Sequence, residues 1–272
     1  MERIPLGGRE YLLAAPPGVA GPPLVVFLHG KGGTAAWADG ETGWSALAAR
    51  AGFALALPDA RRPHPDRPPR FLTNAPEWAV GEEVRNADIA FLAAVIDDAV
   101  RRAGADPRRV YLSGFSNGAA MAFRAAAELS DRVAAVAPVA GYCRIPPGMT
   151  PARPVPTRYL IGSADPLVPL RGGDVRSPWG DRLVRRRPVA DTLDCWAAAL
   201  GCGPVPVVAS DAGGVRVEVY PGPVEFGVVT VAGLGHHWPG GKGQLNPRLA
   251  GPPSDKIDAT EDVWRFFRRQ TL

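Results

Sequence analysis

Gly114-Phe115-Ser116-Asn117-Gly118 stands between the apolar run Arg109-Val-Tyr-Leu-Ser113 and the Ala-rich segment from Ala119 to Leu129. That context reads as strand, sharp turn, helix. A serine flanked by glycines at such a turn forms a nucleophile elbow, which holds its hydroxyl above the end of a strand. The glycines are required sterically. The serine adopts a strained backbone angle, and bulk on either side would clash with the strand or the helix. The next backbone N–H, that of Asn117, then points beside a helix N-terminus to where an oxyanion develops. A plain Gly-rich loop between strand and helix has the same letters, so the rest of the chain decides.

Working outward, short apolar runs alternate with helical spacing. Leu24-Val-Val-Phe-Leu28, Phe53 to Leu57, Val110 to Ser113, Val133 to Ala137 (closed by Pro138) and Pro156 to Ile161 read as buried parallel strands. Tyr11 to Ala15 reads as an early edge strand; Val215 to Tyr220 and Val228 to Val231 are the last strands. Helices are expected over Trp44 to Ala51, Val84 to Ala103, Val189 to Leu200 and Ala259 to Arg269, the last with Val263, Phe266 and Phe267 inward. This alternation predicts a doubly wound, mostly parallel α/β sheet. A chain of 272 residues, 46% hydrophobic, is long enough for one such domain. Active groups in these sheets collect at the carboxyl ends of the strands.

A serine needs a base, and the base needs an orienting carboxylate. The chain has four histidines, and only His236 and His237 follow the serine and the last expected strand. The uncluttered Gly233-Leu-Gly235 turn before His236 favours that residue. The acid is expected at Asp165, after the strand ending at Ile161, with Asp174, Asp181 and Asp191 as rivals and an Asx turn before Pro166 as the alternative reading. Besides Asn117, a second oxyanion donor is expected from His29-Gly-Lys-Gly-Gly33, through the N–H of Lys31 or else Gly32. His29 itself is read as structural, bonding backbone under that loop.

Leu28-His-Gly-Lys-Gly-Gly33, the elbow, Gly162-Ser-Ala-Asp-Pro-Leu-Val-Pro169 and Gly235-His-His-Trp-Pro-Gly240 together resemble the polyhydroxybutyrate depolymerase-like esterases, a group that includes feruloyl esterases. Arg171-Gly-Gly173 and the segment from Trp196 to Cys202 are also similar, and the likeness runs from about Pro22 to Gly240. The resemblance implies an α/β-hydrolase fold and ester hydrolysis through an acyl-enzyme. Its Gly-His-Thr-Trp-Pro-Gly segment places the catalytic histidine at His236, with His237 in the Thr position. Acyl transfer or peptide hydrolysis on the same fold, and a catalytically inactive binding protein, are the alternatives.

Trp78, Tyr142, Trp238 and His237 are the candidates for touching substrate, with Trp37, Trp44 and Trp179 as further loop aromatics. The irregular stretch 171–187 is expected to form a flap, with no large lid. The net charge of +4 comes from scattered arginines. Arg61-Arg62 and Arg185-Arg186-Arg187 read as solvated surface, and no nucleic-acid or membrane partner is expected. The expected ligand is a small or oligomeric ester, with no metal and no organic cofactor. Three cysteines make no disulfide framework; free thiols are expected, although Gly201 and Gly203 leave a Cys195–Cys202 bridge open. The opening residues lack a hydrophobic signal core, so the chain as given is read as cytoplasmic, or as secreted if it has lost a leader.

Overall fold

The computed structural model describes residues 1–64, 66–68, 70, 74–80, 87–176 and 183–272. The strands are β1 (Glu2–Leu6), β2 (Arg9–Ala14), β3 (Leu24–Leu28), β4 (Ala54–Pro58), β5 (Val110–Phe115), β6 (Ala135–Val139), β7 (Thr157–Gly162), β8 (Gly173–Arg176), β9 (Leu183–Arg186), β10 (Val207–Ala212), β11 (Val215–Tyr220) and β12 (Phe226–Val231). The helices are α1 (Ala35–Thr42), α2 (Trp44–Ala51), α3 (Ala87–Ala103), α4 (Asn117–Glu128), α5 (Val189–Leu200), α6 (Pro247–Ala250) and α7 (Ala259–Phe267).

Ten strands form one sheet in the order β1-β2-β4-β3-β5-β6-β7-β12-β11-β10. The pairs from β4 through β12 are parallel. An antiparallel pair closes each side, β1-β2 on β4 and β11-β10 on β12. Burial explains the arrangement. Every residue of β3, β4, β5 and β6 is buried, as continuous apolar strands must be when both faces are covered. β10 is exposed along its whole length and lies at the edge. On one side α3 packs with α4, and α2 packs with α7. The chain reverses its winding direction between β3 and β5, so the elbow after β5 sits at the switch point, where such sheets open a crevice.

Three strand expectations need correction. β2 is not the edge strand, because β1 pairs outside it. β6 starts and ends two residues later than expected, and Pro138 lies within it rather than closing it. Proline cannot donate to the ladder. Its N–H position falls in the gap of the β6–β7 register, between Val136↔Thr157 and Val139↔Leu160, and Ala140 N–H resumes the ladder on Leu160 O. The start of the expected helix at 84–86 lies outside the described residues; α3 runs from Ala87. Among the described residues, no helix is long and apolar enough to cross a membrane.

Candidate active site

Ser116 sits at φ 57°, ψ −113°, a conformation that L-residues rarely adopt. It is held there from both sides: its N–H donates to Val139 O, and its carbonyl accepts from Ala120 N–H. The flanking glycines are sterically fixed. A Cβ at Gly114 would lie 2.4 Å from Gly118 O, and one at Gly118 would lie 2.1 Å from Leu28 O. Gly141, after β6, is similarly constrained, since its Cβ would meet Ser116 O at 2.4 Å.

His236 Nε2 lies 2.8 Å from Ser116 Oγ, and its Nδ1 lies 2.7 Å from Asp165 Oδ2. A carboxylate only accepts, so the bond to Asp165 puts the proton on Nδ1 and leaves the Nε2 lone pair facing the serine hydroxyl. The other oxygen of Asp165 accepts the N–H groups of Leu167 and Val168, both at 2.8 Å. Asp165 thus makes the local turn and also orients the imidazole. Both Asp165 and His236 are 3% exposed. The histidine loop is fastened from behind: Gly235 N–H donates to Pro252 O and His236 N–H to Ala250 O. Nothing in the local sequence marked the 250–252 segment for that task. Of the rival acids, Asp174 pairs with Arg185 and is exposed, and Asp181 lies outside the described residues.

His29, buried at the end of β3, donates from Nδ1 to Gly30 O and accepts Ala60 N–H at Nε2. Burial lowers its pKa, keeping it neutral. Gly32 N–H is committed to Pro76 O at 2.8 Å. Among the described residues the Lys31 N–H meets no acceptor. The Asn117 side chain grips Trp78, accepting its backbone N–H at 2.7 Å and donating to its carbonyl at 3.1 Å. The Trp78 indole N–H donates to His29 O. This clamp locks the loop around Trp78 to both the elbow and the β3 turn.

A pocket of about 850 Å³ opens over Ser116 and His236. Trp78 and Tyr142 line it, as do Lys31 and Asn117. Two of the residues expected to touch substrate lie elsewhere. Trp238 is 2% exposed in the core, edge-on to Phe27, with its indole N–H on Thr260 Oγ1. His237 is fully buried and donates from Nε2 to Gly251 O. The chain turns at His236, so its two followers point inward and serve as anchors for the loop. Trp44 is also core, and Trp179 lies outside the described residues. The stretch expected as a flap contains the β8–β9 pair, and its residues 177–182 lie outside the described ones. Arg61, Arg62 and Arg186, read from the sequence as solvated surface, line the pocket. The three cysteines are free, and the thiol partner of Cys195 is Cys143 rather than Cys202.

Residues 23–176 match the family model described as the alpha/beta hydrolase fold. The esterase named NocK from Nocardia uniformis subsp. tsuyamanensis is 32% identical over 95% of this chain and 79% of its own length. Feruloyl esterase B from Piromyces equi is 30% identical over 58% of this chain, which spans 31% of that protein. Among solved structures, an acetyl xylan esterase from Aspergillus awamori superposes with a TM-score of 0.65, covering 96% of this chain and 94% of that one at 16% identity. Esterase PE8 gives 0.58, covering 95% and 97% at 16% identity. Those two likenesses are of fold.

Proposed function

The chain belongs to the α/β-hydrolase fold family, and we propose that it is a carboxylic ester hydrolase acting through an acyl-enzyme on Ser116. The observation that carries the reading is the His236 ring bridging Ser116 Oγ at 2.8 Å and Asp165 Oδ2 at 2.7 Å. Such a bridge turns a weak nucleophile into an activated one. Ser116 Oγ attacks the ester carbonyl while His236 Nε2 takes the hydroxyl proton. The resulting imidazolium is stabilised by the buried Asp165 carboxylate, which the Leu167 and Val168 amides hold in place. Asn117 N–H and Lys31 N–H bind the tetrahedral oxyanion. His236 returns its proton to the leaving alcohol as the C–O bond breaks. Water, deprotonated by the same nitrogen, then attacks the acyl-enzyme, and Ser116 leaves with that proton. The names of the relatives, feruloyl esterase and acetylxylan esterase, support a small or oligomeric ester as substrate.

Hydrolysis of p-nitrophenyl butyrate tests the reading. The protein should turn it over, and Ser116→Ala should lose activity by at least about 10³-fold with an unchanged melting temperature. A Ser116→Ala protein that keeps its activity refutes the assignment.

A further inference from the structure

We infer that the ester accepted at Ser116 carries a carboxylate on one arm, and that Arg144 and Arg186 hold that carboxylate at the pocket wall. The inference rests on the esterase reading and adds the substrate class to it.

The pocket lining is unbalanced in charge. Lys31, Arg61, Arg62, Arg144 and Arg186 face it, against the carboxylates of Glu77 and Asp88. Both carboxylates are already engaged: Glu77 pairs with Lys31, and Asp88 pairs with Arg9. Among the described residues, neither Arg144 nor Arg186 meets a carboxylate. Among the same residues, Arg186 Nε is buried without an acceptor. A buried N–H left unpaired is unfavourable, and an oxygen arriving with a ligand removes that cost.

The two arginines belong to separate elements that the fold brings to one wall. Arg144 follows the turn after β6, and Arg186 ends β9. The half-buried Tyr142 links them, donating from its hydroxyl to Arg187 O at 3.1 Å. Desolvation, then the neighbouring Arg187 and Arg186 guanidiniums, lower the pKa of Arg144. Like charges are thus gathered beside the reactive serine, and among the described residues no carboxylate meets Arg144 or Arg186. Arg158, by contrast, is paired with Asp262 through both of its bonds. The guanidinium fork matches a carboxylate in geometry as well as charge, which a scattered set of solvated lysines would not.

Binding to the Ser116→Ala protein, measured by titration calorimetry, tests this without relying on turnover. Two matched pairs probe the two arms of the ester. They are 4-carboxyphenyl butyrate against 4-carbamoylphenyl butyrate, and p-nitrophenyl hydrogen adipate against its methyl ester. At least one pair should show the carboxylate bound about tenfold more tightly. That ratio should shrink as salt rises, and it should fall to near one in a further Arg144→Gln, Arg186→Gln protein. Should the double change impair folding, Arg144→Gln alone must lower the ratio. Ratios near one in both pairs, or a preference that survives removal of both arginines, overturn the inference. Hydrolysis of the neutral esters by the unaltered protein reports separately on the esterase reading.

Discussion

Asp165→Asn keeps the shape of the site but removes the carboxylate that orients the imidazole and stabilises its charged form. The new amide must choose which end faces which partner. One side presents two donors, Leu167 N–H and Val168 N–H at 2.8 Å each, and the other presents His236 Nδ1 at 2.7 Å. Turning the amide nitrogen toward the two backbone donors would leave two bonds unmade; turning it toward His236 leaves at most one, which a change of tautomer restores. Each such loss costs about 1–3 kcal/mol, so the amide oxygen stays on the backbone. The amide NH₂ then faces Nδ1 and forces that nitrogen to accept. The imidazole proton moves to Nε2, which donates to Ser116 Oγ and is no longer able to take its proton. A wrong tautomer of this kind costs about 10⁴-fold in kcat, equivalent to about 5 kcal/mol of transition-state stabilisation. Initial rates on p-nitrophenyl butyrate measure it. KM should change little, because the pocket lining is untouched, and the melting temperature should hold, because the substitution preserves shape. A kcat within tenfold of the original would refute the reasoning, whatever the binding data showed.

Gly118→Ala places a methyl group 2.1 Å from Leu28 O, backbone against backbone, and should cost about 3 kcal/mol or more in urea unfolding. Trp238→Phe removes the indole N–H bond to Thr260 and leaves a small void. It should destabilise by about 1–3 kcal/mol while leaving KM for esters unchanged, whereas a large rise in KM would return Trp238 to the substrate site. The Cys195 thiol is lowered to about 6 by the hydrogen bond from the Cys143 thiol, which itself is pushed above its ordinary value. Iodoacetamide alkylation should therefore modify Cys195 first, with a rate rising through pH 6 and levelling by pH 7. Cys143→Ala should shift that rise upward, and an unchanged profile would mean that the pairing has no effect.

The parts of this molecule that were legible in its sequence are those governed by local rules. Leu24–Leu28 has no polar residue and so had to be buried on both faces; it lies inside the parallel sheet, between β4 and β5. Trp44–Ala51 and Val189–Leu200 carry their own stop signals in Gly52 and Gly201, both in the left-handed conformation. The elbow was readable because its glycines answer to backbone contacts within a few residues and to one neighbouring strand end. α1 was missed, since Ala35–Thr42 is held by the Thr34 cap and a left-handed Gly43 rather than by apolar spacing. The Pro138 error was of another kind. Proline usually ends a strand, and only the gap in the pairing with β7 lets it stay. Which way a side chain points along Gly235–Trp238 depends on the Ala250–Pro252 segment behind it. Adjacency to His236 therefore misled for His237 and Trp238. Arg61, Arg62 and Arg186 were read as surface for the same reason: only the assembled wall shows that they line the pocket.

Covalent capture tests the central claim most directly. A fluorophosphonate should react once per chain, and digestion followed by mass spectrometry should place the adduct on Ser116. Asp165→Asn should slow that reaction by orders of magnitude. A folded protein that takes up no phosphonate, or that carries it on any other residue, would contradict the account.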